Sequence, residues 1–244
     1  MKRITYLFIV CFIALPTLNS CITGKNIKGN STIASKEIDI SDYDAIVLQT
    51  NAKVIYKQMP SGIPLLQVSI DENLLSLLDI SVSDRRLIIS KKSNISVRPT
   101  QFIVHTNSTA LNKVNICGSG NILLPQQVNT QQMEMSISGS GNIKADSLFC
   151  ENLNLKISGS GYIELQGSAN NAKFSINGSG KIRAFGFLSQ EIKCSISGSG
   201  NIEVNAGKQI DTSISGSGNI KYKGNPETVN VLVSGSGNVQ KVSQ

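Results

Sequence analysis

The chain has 244 residues, of which 40% are hydrophobic, 16% charged and only 5% aromatic with no Trp, and its formal net charge is +7. No run of five or more basic residues gathers that charge, and scarce aromatics leave little for base stacking, which tells against nucleic-acid binding. Affinity for an anionic lipid or glycan is compatible with the charge, as is an evenly solvated surface.

The N-terminus reads as a targeting segment. Lys2 and Arg3 precede an apolar run, Ile4 to Leu15, which is short for a membrane span of ~20 residues. It has the size of the apolar region of a secretory signal. Leu18-Asn19-Ser20-Cys21 resembles a bacterial lipobox. That resemblance implies removal of residues 1–20 and a diacylglyceryl group on Cys21, which becomes the lipid-attachment site and mature N-terminus. Several acyl chains at Cys21, palmitate included, would hold the protein at the (outer) membrane, since each buried CH₂ adds ~0.8 kcal/mol. The alternative is an ordinary signal peptide with Cys21 incidental; Pro16 and the small residue before Cys21 favour the lipoprotein. Loss of Lys2 and Arg3 leaves 21 basic and 16 acidic residues, a net +5.

Residues 21–35 are small and polar and read as a tether. An acidic cluster behind the lipidated cysteine accompanies surface export in some lineages. Lys25 and Lys28 stand here instead, so the periplasmic and outer faces both stay open.

From 36 to 110 the chain reads as an N-terminal β-rich cap with irregular coils. Ala45–Leu48, Val54–Tyr56, Leu65–Ile70, Ile80–Val82, Arg86–Ile89 and Phe102–Val104 are strand candidates, with turns at Pro60-Ser61-Gly62 and Asp84-Arg85. Asp71 to Leu78 predicts a single helical turn with Asp71 as N-cap.

From 111 to 244 a triplet, Gly-Ser-Gly, recurs seven times, starting at Gly118, Gly139, Gly159, Gly178, Gly198, Gly216 and Gly235. Successive starts lie 18 to 21 residues apart, the period of a solenoid whose repeats bury their apolar sides by stacking. A flexible linker has similar composition, but here the flanks alternate. Two residues before each triplet stand Ile116, Ile137, Ile157, Ile176, Ile196, Ile214 and Val233. Four before stand Val114, Met135, Leu155, Phe174, Cys194, Thr212 and Val231, and six before stand Met133, Leu153, Ala172, Ile192, Ile210 and Val229 in all but the first copy. The residues between are mostly polar, Leu232 excepted. Beyond the triplets Ile122, Ile143, Ile163, Ile182, Ile202, Ile220 and Val239 resume the pattern. Period two means strands with one buried face, and each repeat is strand, glycine corner, strand and loop. Glycine at the corner permits positive φ and a close approach of neighbouring coils.

Two outward series predict the stacking. Lys144, Glu164, Arg183, Glu203 and Lys221 alternate in sign, and in register they would lie roughly 4.8 Å apart. Each exposed pair is worth only about 0.2–1 kcal/mol, so the ladder controls register rather than supplying stability. Asn121, Asn142, Asn201, Asn219 and Asn238 would form an asparagine ladder, interrupted by Tyr162 and Lys181.

Ile40-Ser41-Asp42-Tyr43-Asp44-Ala45-Ile46, Asp71-Glu72-Asn73-Leu74-Leu75 and the Ser-Gly-Ser-Gly-Asn-Ile repeats together resemble the bacterial auto-transporter adhesin, head GIN domain family, over residues 36–244. That resemblance implies an all-β, right-handed parallel β-helix (solenoid); the repeats predict about seven regular coils of ~20 residues, with an N-terminal β-rich cap. The adhesin label is an analogy, and a fold alone licenses no function.

Parallel β-helices also carry polysaccharide lyases and hydrolases, so a carbohydrate-active enzyme is the alternative to a non-catalytic adhesin, binding or scaffold module. Glycoside hydrolysis needs two carboxyl groups roughly 5–9.5 Å apart. Glu164 and Glu203, two coils apart, are about 9.6 Å apart by strand spacing, but the charge ladder already accounts for them. His105, the one histidine, reads as a structural residue at a strand end, without a nucleophile or metal-ligand partner. Of the cysteines beyond Cys21, Cys194 holds a core slot, Cys117 a corner and Cys150 a loop; an odd number at unlike positions predicts no disulfide framework and no metal site. No catalytic, metal or cofactor residue is assigned. The expected partners are the membrane through Cys21, a glycan or envelope protein, and a second copy meeting the last coil unless the tail covers it.

Overall fold

Strands with one apolar face and no helices to cover it must cover one another, and strand makes up 72% of the described residues against 2% helix. The computed structural model describes residues 25–243, so the signal segment and Cys21 lie outside the described residues. The repeats form β10 (Lys113–Gly118), β11 (Asn121–Leu124), β12 (Val128–Gly139), β13 (Asn142–Gly159), β14 (Tyr162–Gly178), β15 (Lys181–Gly198), β16 (Asn201–Gly216), β17 (Asn219–Lys223), β18 (Thr228–Gly235) and β19 (Asn238–Lys241). All pair in parallel with the equivalent strand one repeat on, and seven corners delimit about six turns. Pairing of β13 with β14 falls into three runs, Asn142–Ala145, Leu148–Cys150 and Asn152–Gly159, so each turn has three sides.

The Gly-Ser-Gly corner keeps the backbone ladder intact where the chain turns. Ser160 N–H donates to Gly139 O at 2.9 Å and Tyr162 N–H to Gly141 O at 3.0 Å, and equivalent bonds recur at the later corners. The first glycine of each triplet has φ between 118° and 129°, a region closed to side chains. A Cβ on Gly159 would stand 2.5 Å from the Gly139 carbonyl oxygen. Two glycines outside the triplets, Gly167 and Gly224, have φ of 130° and 96° and are equally constrained at another corner.

The alternating isoleucines meet along the axis: Ile116, Ile137, Ile157, Ile176, Ile196 and Ile214 pair in register and are at most 2% exposed. Outside, Lys144, Glu164, Arg183, Glu203 and Lys221 are paired in register as predicted. Ionic contact is more local than a full ladder. Glu203 receives Lys181 at 3.1 Å and Arg183 at 3.3 Å, whereas Lys144 turns to Asp146 at 3.0 Å. Glu164 accepts the Tyr162 hydroxyl at 2.7 Å, so the residues interrupting the asparagine row serve the charge row. Asn142 donates to Asn121 at 2.7 Å and Asn219 to Asn201 at 3.2 Å.

The N-terminal half comprises β1 (Lys25–Lys28), β2 (Ile33–Ile38), β3 (Ala45–Leu48), β4 (Lys53–Gln58), β5 (Leu66–Asp71), α1 (Glu72–Leu75), β6 (Leu78–Ser83), β7 (Arg86–Lys91), β8 (Ile95–Arg98) and β9 (Phe102–Ser108). The stretch 25–35, expected as tether, carries β1, which pairs with β8 and packs Ile27 against the core, and the start of β2, which pairs with β5. β3 and β4 form a coil of the stack itself: β10 and β11 pair on one side of it, β7 and β9 on the other. Beyond β7 and β9 the direction reverses, with β6 antiparallel to β7 and β5 antiparallel to β9, and β2 antiparallel to β5. Antiparallel strands end the parallel ladder and shield its edge.

The helical turn is shorter than predicted, and Asp71, although at the N-cap position, makes no capping bond with its side chain. Its buried carboxylate accepts Ser31 N–H, Thr100 N–H and the Thr100 hydroxyl, each at 2.7 Å, tying three segments of the cap together. Burial works to raise its pKa, but the Thr100 hydroxyl and amide and the Ser31 amide hold it below the ordinary carboxylate range.

In chemical denaturation, Ile157→Asp is expected to abolish folding by placing an unpaired charge in the stack, and Lys156→Ala to change stability by less than about 0.5 kcal/mol. Gly159→Ala should cost at least about 1–3 kcal/mol; equal tolerance of all three contradicts the inward assignment. Because the Asp71 pKa is lowered on folding, its contribution is complete above the unfolded value of ~3.9 and is lost as pH falls toward the lower folded value. Acid titration of stability should therefore fall less steeply below that pH in Asp71→Asn than in the parent protein.

Candidate functional site

The side of each coil that precedes the triplet faces outward with a repeated three-residue pattern. Seven residues before the first glycine stand Gln132, Asn152, Asn171, Glu191 and Gln209; five before stand Glu134, Asn154, Lys173, Lys193 and Asp211. Between them Met133, Leu153, Ala172 and Ile192 are buried in the wall. A corner just upstream lifts the first row, leaving residues such as Glu151 without a register partner. The result is an open groove of about 520 Å³ crossing five coils, hence about 19 Å long at coil spacing.

Its chemistry is polar and mixed in charge. Asn171 donates to Asn152 at 3.1 Å, and Glu134 is paired with Lys113 at 3.0 Å. Asp211 accepts the Asn230 amide at 2.8 Å and Gln209 at 3.1 Å. Those amides hold the Asp211 carboxyl below the ordinary carboxylate range, against partial burial and with help from the Lys193 charge. Lys173 and Lys193 face each other in register, and neither is in an ion pair among the described residues. Like charges directly opposite on neighbouring strands repel; Lys193 has Asp211 in register on its other side and Lys173 has Asn154, so Lys173 is the position at the centre of the groove that favours an anionic group. A second basin of about 350 Å³, reaching Thr212, Val231 and Leu232, adjoins the first at Lys193 and Asp211.

The residues considered for catalysis are elsewhere. Glu164, Arg183 and Glu203 border a separate hollow of about 390 Å³, with both carboxylates engaged by the neighbours described above. His105 lies in the middle of β9, not at a strand end as predicted, between Ile55 and Gln67 in the pairing. Cys117 is exposed, Cys150 half-buried and Cys194 buried, and all three are free thiols. Burial pushes the Cys150 thiol up to about 12, so it is protonated at neutral pH. Among the described residues no three His, Cys, Asp or Glu side chains converge as metal ligands. Sequence reading missed the groove as a site; its signal was the unbroken polar character seven residues before each triplet from the second to the sixth.

Fold and flank define a class, the capped parallel β-solenoids that present an extended open face. The chain belongs to the family described as "Putative auto-transporter adhesin, head GIN domain", whose model matches residues 42–226. The crystal structure of a "putative adhesin" from Bacteroides fragilis is similar with a TM-score of 0.85 at 27% identity, covering 88% of this chain and 100% of that one. A "putative lipid binding protein" from Parabacteroides distasonis has a TM-score of 0.78 at 36% identity, covering 90% and 100%. A "putative adhesin" from Parabacteroides merdae has a TM-score of 0.74 at 32% identity, again covering 90% and 100%. No curated protein matches the chain.

Proposed function

We propose that the protein is a non-catalytic binding module of the cell envelope, anchored through a lipid on Cys21, whose groove holds an extended acidic glycan. The observation that carries this reading is the uninterrupted polar groove over five coils with the unpaired Lys173 and Lys193 at its centre. The amides of the first row and Asn154 in the second suit sugar hydroxyls, and the lysines suit a carboxylate or sulfate on the polymer. The adhesin names of similar structures support a binding role, and an adhesin family fits an envelope location. No observation favours turnover: the one carboxylate pair considered for it lies outside the groove and is held in local contacts.

A glycan array tests the reading. The protein is expected to retain acidic polysaccharides, and Lys173→Glu with Lys193→Glu should weaken retention at least about tenfold, equivalent to ~1.4 kcal/mol, with thermal stability preserved. Release of new chain ends from any retained polysaccharide, or indifference to the double substitution, overturns it. Cell fractionation with Cys21→Ser should move the protein out of the membrane fraction.

A further inference from the structure

The two ends of the stack are finished differently. At the N-terminal end the outer edges of β7 and β9 are occupied by the antiparallel β6 and β5. At the other end β18 pairs with β16 and β19 with β17, and among the described residues no strand runs along their outer edges. The inward slots of this coil are consequently in water. Val229, Val231 and Val233 are 40%, 53% and 38% exposed, whereas Ile210, Thr212 and Ile214 in the coil beneath are at most 5% exposed. Leu232, on the outer face beside them, is 68% exposed. β18 contains no charged residue and no proline, the usual means by which a sheet edge repels another.

These features restrict what can cover the end. A second copy cannot extend the parallel ladder head to tail, because antiparallel β6 and β5 already occupy the outer edges of β7 and β9. Meeting tail to tail, about a two-fold axis, sets like coil ends together, and that arrangement closes after two chains. The order of residues in β18 suits this operation. A two-fold axis through Val231 sets β18 antiparallel to its copy, with Val229 opposite Val233 of the second copy and Val231 opposite its own equivalent. Residues directly opposite in an antiparallel pair point to the same side, so inward valines meet inward valines and the core continues across the junction. A shift of the axis by half a residue would set inward against outward positions.

We propose that this end is a self-association surface: two copies pair tail to tail through antiparallel β18 strands, burying Val229, Val231 and Val233. Eight residues of β18 span about 27 Å, and one coil end is small beside the roughly 800 Å² per partner of a standard interface. The pair is therefore a weak one, dissociating on the order of 10–100 μM.

Sedimentation velocity of the full chain across the micromolar range reads the outcome. The mass should rise from one chain to two and stop, and Val231→Lys should hold it at one chain with an unchanged melting temperature. In a Cys117→Ser background, mild oxidation should link Val231→Cys into a covalent pair, because that residue faces its own equivalent, and should leave Asn238→Cys largely unlinked. The cross-link also decides the matter should Val231→Lys fail to fold. A mass of one chain at every concentration, growth beyond two, pairing insensitive to Val231→Lys in a folded variant, or equal cross-linking at both positions overturns the proposal.

Discussion

A backbone that turns a corner inside a stack has to keep each peptide group opposite its counterpart in the coil below, since wall groups left unpaired cost more than a hydrogen bond returns. In this protein the Gly-Ser-Gly corner meets that condition by letting the first glycine take φ near 120° and by bringing carbonyl and amide of adjacent corners to 2.9–3.0 Å. With a side chain there the coil above would have to move away from the carbonyl it binds. The in-register isoleucines, the asparagine row and the charge row are all consequences of corners lying directly above one another. The asparagine and charge rows are worth too little on their own to impose that alignment.

The groove depends on the same alignment. No residue in it is unusual, and what makes it a surface is the addition of one small step per coil, so that isolated polar side chains become two rows about 19 Å long. Most of its polar groups are occupied by each other, as in the Asn171–Asn152 and Asp211–Asn230 contacts. Lys173 and Lys193 stand out because stacking opposes two like charges at the centre, with one carboxylate, Asp211, in register beyond Lys193 and in no ion pair with it among the described residues. The family comparison fixes the architecture and the adhesin association, and the chemical reading comes from these two side chains and their setting.

Much of the stack was legible in the sequence because one interaction repeats: an isoleucine two residues before a glycine corner, seven times with one conservative change, can only be a buried column. The coil of β3 and β4 was not legible as part of the stack. Its corner, Thr50-Asn51-Ala52, has no triplet, and its place is set by Gly120 packing against Leu48 and Thr50, a contact between residues seventy positions apart. Asp71 followed the same logic. Local spacing marked it as a helix cap, whereas the carboxylate is spent on Ser31 and Thr100, in the connections between β1 and β2 and between β8 and β9. The groove escaped notice because its boundary is a change in strand direction at positions such as Glu151, which alternation alone does not report.

The placement of β3 and β4 bears on how the molecule is assembled. This coil is translated before every strand it touches in the stack, and it lies between them, with β7 and β9 on one side and β10 and β11 on the other. Its two edges are therefore completed by segments from different parts of the chain, one by the cap and the other by the first repeat. Antiparallel strands close the ladder on the cap side, so added repeats can lengthen the rod in one direction only.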